Sequence, residues 1–372
     1  MNINIKNFLI NLKKKVVKIV EKILKFLKRK DVEISLKRYG IDALSAMAQG
    51  LFASLLIGTI LETIGVQCNI EILDRIGDYA KSACGVAMSV AIGYALKAPP
   101  LVLFSLATVG SVANTLGGAG GPLAVLIIAI IAAECGKLVS KETKVDIIVT
   151  PLVTILIGTF LAEIFAPSIG AAASSFGKAI MWATELQPFF MGIIVSAIVG
   201  IVLTLPISSA AICAALSLTG LAGGAAVAGC CAHMIGFAVA SFKENGMGGL
   251  FAQGIGTSML QMGNIIKNPK IAIPAIVSSM ITGPIATCIF KLEMNGPAIS
   301  SGMGTCGLVG PIGVYTGWIN DISSGVKVAI TNFDILGVVL ICIILPAVIS
   351  LIVARVLRKI NWIKENDMRL EF

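Results

Sequence analysis

The chain has 372 residues, of which 56% are apolar and 13% charged, with a formal net charge of +9. Soluble domains carry roughly 25% charged residues, so the composition excludes an ordinary soluble fold. The charge is also lopsided: residues 1–38 hold 12 Lys/Arg and 3 Asp/Glu, and residues 39–372 hold 17 of each, which removes bulk basicity as an argument for a nucleic-acid partner.

Apolar runs long enough for a ~30 Å hydrocarbon core recur along the chain. The expectation is an all-α polytopic membrane protein with about 8–10 transmembrane helices, plus re-entrant or broken segments and an internal parallel repeat. The nine cysteines and single histidine show no metal spacing. The cysteines read as small apolar residues of packed helices, and neither metal nor cofactor is expected.

Residues 1–38 read as a basic amphipathic arm. Ile5, Phe8, Leu9, Leu12, Val16, Ile19, Val20, Ile23, Phe26 and Leu27 recur at helical spacing with lysines between them. Such a helix over residues 1–30 lies on anionic headgroups. It serves as a topology anchor or as a docking surface for a soluble partner. The first span is placed at 43–65, and residues 66–82 read as a polar outer loop. Apolar segments follow at 83–98, 100–116 and 121–140, separated by Pro99-Pro100 and Gly117-Gly-Ala-Gly-Gly-Pro122.

Leu56-Ile-Gly-Thr-Ile-Leu-Glu-Thr-Ile-Gly65 is echoed by Leu156-Ile-Gly-Thr-Phe-Leu-Ala-Glu-Ile-Phe165, six identities in ten. The Gly117–Gly121 cluster is echoed by Gly223–Gly229. These echoes place repeats at 43–140 and 147–241. Interrupted segments at matching positions are pointers to a transporter site.

Residues 242–270 are placed at the cytosolic side, and within them Phe251–Met262 is apolar, glycine-punctuated and too short to span. Lys and Arg flanking the spans at both ends of the membrane region put both termini in the cytosol of a bacterial plasma membrane. An even number of crossings is then needed between residues 270 and 358. The spans 271–290 and 335–357 supply both, which leaves 291–318 as a re-entrant or broken segment. Residues 361–372 form a cytosolic tail. The stretch 290–311 is rich in glycine and proline yet apolar, and backbone of that kind is tolerated at membrane depth only inside protein or beside a watery cavity.

Ionisable residues in spans are functional candidates. His233 either binds a substrate hydroxyl or bonds a backbone carbonyl between helices. Glu293 is either a ligand for a polar substrate or a helix-end charge. Asn114, Asn295, Ser300, Ser301 and Thr305 either line a polar cavity or satisfy backbone freed at helix breaks. Glu62, Glu134 and Glu163 are expected to snorkel to the interface.

The runs Tyr39–Ile60, Asn264–Ile271, Gly283-Pro284…Phe290-Lys-Leu-Glu293 and Gly302-Met-Gly-Thr-Cys-Gly-Leu-Val-Gly310 together carry a family resemblance. Residues 39–360 resemble the EIIC-type membrane proteins of the bacterial phosphoenolpyruvate-dependent sugar phosphotransferase system, in the branch that includes PfoR-like regulatory membrane proteins. The resemblance implies a homodimeric sugar permease that works with separate EIIB and EIIA proteins, the phosphocysteine donor being on another polypeptide. It implies that Glu293, followed by Pro297, and His233 hold the sugar hydroxyl to be phosphorylated, with Asn295, Ser300, Ser301 and Thr305 nearby. The usual Glu-Pro pair is spread here to Glu293-Met-Asn-Gly-Pro297. If active, the chain is a group-translocating component of that system. The alternative is a membrane sensor or regulator with the EIIC fold that does not transport.

Overall fold

A computed structural model describes residues 21–22 and 24–370. Most of the expected amphipathic arm, residues 1–20 and 23, therefore lies outside the described residues. The chain is all-α; its one extended pairing among the described residues is the antiparallel bridge between Gly220 and Met294.

The helices are α1 (Lys37–Cys68), α2 (Glu71–Ser82), α3 (Cys84–Ala95), α4 (Pro100–Gly117), α5 (Gly121–Val139), α6 (Asp146–Thr184) and α7 (Pro188–Thr204). They continue with α8 (Ser209–Ala215), α9 (Gly220–Ala240), α10 (Phe242–Phe251), α11 (Met262–Lys267), α12 (Pro269–Ile289), α13 (Val309–Ser323) and α14 (Asn332–Lys359). Among the described residues, 6 helices are long and apolar enough to cross a membrane, with Pro100–Val139 counted as one. That one turns at Gly118 (φ +49°), and α4 packs back against α5. The shorter α3 and α7 are also apolar. This is a multi-pass helical membrane protein.

Three prolines sit where a helix can accept them. Pro100, Pro122 and Pro188 occupy first turns, where the missing N–H would have had no intrahelical partner. The centre of the molecule is α9: 83% of its apolar window is buried, against 22% for the peripheral α6. Glycines permit that centrality. A Cβ on Gly224 would stand 1.7 Å from the Leu292 carbonyl oxygen, and one on Gly229 would stand 2.0 Å from that of Ser196. The two glycine-rich runs that echo each other in sequence differ in backbone: Gly117–Gly121 breaks a helix, whereas Gly223–Gly229 lies within unbroken α9.

One reading of a polar stretch is corrected. Residues 71–82 form helix α2, not a loop, packed antiparallel on the second half of α1 through Gly58 and Gly77. Lys81 pairs across this hairpin with Glu62 at 2.6 Å and within α2 with Asp78 at 2.9 Å. Residues 242–268 turn into the molecule. After α10 they pass through a π turn (Ala252–Gly256), an extended Thr257 and a 3-10 turn (Ser258–Gln261) into α11. Gln253, Ser258 and Gln261 are fully buried.

One end of the molecule carries the start of α1, α11 and residues 360–370; we call it the tail end and the opposite one the far end. At the tail end Arg38 donates to Asp31 (2.7 Å) and to the Leu96 carbonyl (2.8 Å). Lys137 donates to the backbone carbonyls of Asp31 (2.6 Å) and Leu96 (3.0 Å). Glu134, expected at an interface, is instead buried between Lys137 (3.0 Å) and the Tyr39 hydroxyl (3.1 Å). Glu62 is held by Lys81, and Glu163 is exposed.

The hydrogen bond from Arg38 holds the Asp31 carboxyl below its ordinary value. A lowered folded-state value means that the contribution is present above the unfolded value of about 3.9 and is lost as pH falls through the folded one. Protease cleavage near residue 31 is therefore expected to stay slow at neutral pH and to accelerate below about pH 4. Asp31→Asn should give fast cleavage at neutral pH as well; equal neutral rates for the two proteins would discard this anchor.

Candidate functional site

The stretch after α12 folds back on itself. Met294 pairs with Gly220 at the start of α9, and the chain then runs down α9 through short 3-10 turns at Ala298–Gly302 and Cys306–Leu308. Gly304 (φ +54°) lies against Cys230 and Cys231, six residues along α9 from Gly224, roughly 9 Å deeper. Leu308 takes a left-handed φ of +60°, and α13 returns to the far end. There Gly317 lies against Asn295, and the Asn295 amide donates to Asp321 at 2.9 Å.

The broken segment 242–268 enters from the tail end. The tips of the two segments touch, the Thr305 hydroxyl donating to the Gly254 carbonyl at 2.5 Å. Ser209 donates to the Gly302 carbonyl (2.6 Å), and Ser301 to that of Leu218 (2.6 Å).

Beside these tips lies a half-open cavity of about 200 Å³ that reaches exposed Gly118. Four chain interruptions border it: Gly118 after α4, Ser208 before α8, Gly256-Thr257, and Met303 to Cys306. Its polar lining comes from Lys81, Asn114, Ser208, Ser209 and Thr257, and no carboxylate is among the lining residues. Chain breaks leave backbone groups without intrahelical partners, and such groups are what a polar solute needs in an apolar interior. The volume is below the roughly 300–1,000 Å³ of pockets for drug-sized ligands, which suits one small solute.

His233 stands behind this cavity, buried in α9. Its Nδ1 is 2.9 Å from the Thr204 hydroxyl, which is 2.9 Å from that of Ser258. Nε2 is buried without a hydrogen-bond partner and faces Gly200. The flanking residues Leu203, Thr257 and Met259 line the cavity; His233 itself does not. It fixes the end of α7 and the Ser258 turn.

Glu293 belongs to a different space, a far-end pocket of about 190 Å³ with Lys291, Trp318, Asp321, Lys327 and Asp334. The Asn295 amide bridges the Glu293 (3.2 Å) and Asp321 (2.9 Å) carboxylates. Lys327 pairs with Asp334 at 2.8 Å and stands over the Trp318 ring. Glu293 is exposed, as expected of an open, charged site.

The candidate residues therefore separate. Glu293 lines the far-end pocket and Asn295 bonds to it from beside that pocket; Ser300, Ser301 and Thr305 are buried within the broken segment. His233 is nine residues along α9 from Gly224, against which Glu293 is packed, roughly 14 Å away. One hydroxyl cannot hydrogen-bond to both at ~3 Å. Asn114 does line the interior cavity. Lys81, Ser208, Ser209 and Thr257 were not among the candidates. The signal for Lys81 was the helical spacing of Ile72, Ile76 and Tyr79 in a segment taken for a loop.

Broken helices around a half-open cavity in a multi-pass bundle define a helical membrane protein with a solute-sized pocket among its spans. Residues 41–370 match the family described as Phosphotransferase system, EIIC. The chain belongs to that family. No curated protein and no solved structure matches it.

Proposed function

We propose that this chain is the membrane-embedded sugar permease subunit of a phosphotransferase system, which passes its sugar to a separate EIIB for phosphorylation, with EIIA behind it. The observation that carries this reading is the interior cavity where the broken segments 242–268 and 291–318 meet. A small sugar is bound there by Asn114, Ser208, Ser209, Thr257 and freed backbone groups. Ser301, Thr305 and His233 hold the walls in register, and Glu293 and Asn295 form the vestibule on the far side. The segment 291–318 is re-entrant from that side. Both termini lie in the bacterial cytosol, the arm rests on anionic lipid, and the subunit works as a homodimer.

The test is uptake and binding of a sugar panel in vesicles, with and without phosphorylated EIIB. One sugar is expected to accumulate as its phosphate. Thr257→Val and Asn114→Leu should each weaken it by up to about tenfold, one hydrogen bond's worth. Undiminished binding in both variants would place the sugar elsewhere. The regulator reading is favoured by one observation: no carboxylate lines the interior cavity, so a proton acceptor for the sugar hydroxyl is missing there. Binding of sugar without any uptake, with or without phosphorylated EIIB, would decide for it.

A further inference from the structure

The last described residues are bound much as a peptide would be. Asn245 donates from Nδ2 to the Met368 carbonyl and accepts from the Leu370 N–H, both at 2.8 Å. Gln261 also donates to the Met368 carbonyl, Asn264 to that of Arg369 and Asn268 to that of Trp362, each at 2.9 Å. The amides are joined behind the tail: Gln261 donates to Gln253 and Asn264 to Gln261, both at 2.9 Å. Ile363 and Met368, 2% and 0% exposed, are the two apolar anchors. Every donor of this track comes from α10, α11 or the turns between and after them, that is, from the broken segment that enters from the tail end.

Most of these bonds reach main-chain carbonyls, so they hold a tail of successive turns by its backbone. Removing the tail would take from buried Gln261 and Asn264 one hydrogen bond each, which is costly unless water replaces it. Beneath it lies a small hollow lined by Ser45, Leu260, Asn264, Arg369 and Leu370. Leu260 belongs to the Ser258–Gln261 turn, and Gly256, Thr257 and Met259 on the other side of that turn line the interior cavity. One turn of chain, backed by the tail, therefore separates the cavity from the tail-end surface.

We infer that residues 360–370 are a strap that closes the tail-end route to the interior cavity, and that solute passes to that end only when the strap lifts and water takes over the amide track. The solute part of this statement rests on the reading of the cavity given above; the closure part does not.

The test uses Cys306, a native cysteine lining the cavity, and a small thiol reagent, read by mass spectrometry. A chain ending at Lys359 should alkylate at Cys306 about tenfold or more faster than the full chain, and an added peptide of residues 360–372 should restore slow labelling. Equal rates in the two folded proteins would overturn the strap. Should the shortened chain not fold, the full chain with Asn245→Cys and Leu370→Cys decides. Its oxidised form should label at Cys306 more slowly than its reduced form and lose uptake until reduced. Unchanged labelling and uptake on oxidation would refute the closure. If the wild type takes up no sugar, the transport reading fails while the labelling rates still decide the strap.

Discussion

Arg358→Ala is expected to destabilise the protein by about 3–5 kcal/mol, the cost of leaving a buried charge without its partner. Arg358 pairs with Glu244 at 2.7 Å, and the Glu244 side chain is only 5% exposed. Outside that pair neither Glu244 oxygen has a hydrogen bond, so nothing else would compensate it. Arg358 also donates to the Ala240 carbonyl at the end of α9 (2.9 Å). It thereby ties α14, α9 and the start of α10 together beneath the strap. Unfolding of the detergent-solubilised protein reads the loss. The double change Arg358→Met with Glu244→Gln should recover most of it, because it removes the charge along with its partner. A loss under about 1 kcal/mol would assign the pair to the class of exposed ion pairs.

Gly224→Ala is expected to be as severe, about 3 kcal/mol or more, by overpacking. The added methyl would stand 1.7 Å from the Leu292 carbonyl oxygen. That atom is backbone, so no rotamer change can relieve the clash. The contact sets where the stretch after α12 first meets α9, and its displacement would shift the whole broken segment and the Met303 to Cys306 wall of the cavity. Gly248→Ala is the matched control. No atom lies within 4 Å of its added methyl, and a helical glycine replaced by alanine gains about 0.5–1 kcal/mol. Equal stability of the two variants would show that α9 and residues 292–293 are not in contact.

The physics of the apolar runs made the helices legible, because a span must be long and apolar whatever it packs against. The break at 290–311 was also legible: Pro297, Pro311 and the glycines disfavour a helix, and the apolar residues among them keep the stretch inside. What misled was charge. Residues 66–82 looked like a solvated loop because the pairing of Lys81 with Glu62 across the α1–α2 hairpin is invisible in one dimension. Glu134 looked like a snorkelling acid because Lys137 one turn on could equally have faced water. The partners of Gln261 and Asn264 could not be read locally, because they are backbone carbonyls 107 and 105 residues away in the tail. Glu293 and His233 were joined by family pattern, not by spacing. The fold sets them on either side of a stretch of α9 whose length no local signal reports.

The central claim, that the sugar sits in the interior cavity between the two broken segments, is tested most directly by sugar protection of native cysteines. Cys306 lines that cavity and Cys288 is exposed outside it. At a saturating concentration of the transported sugar, alkylation of Cys306 should slow about tenfold while that of Cys288 is unchanged. An unchanged Cys306, together with protection of a cysteine placed at Asn295 beside the far-end pocket, would contradict the account and move the site to Glu293.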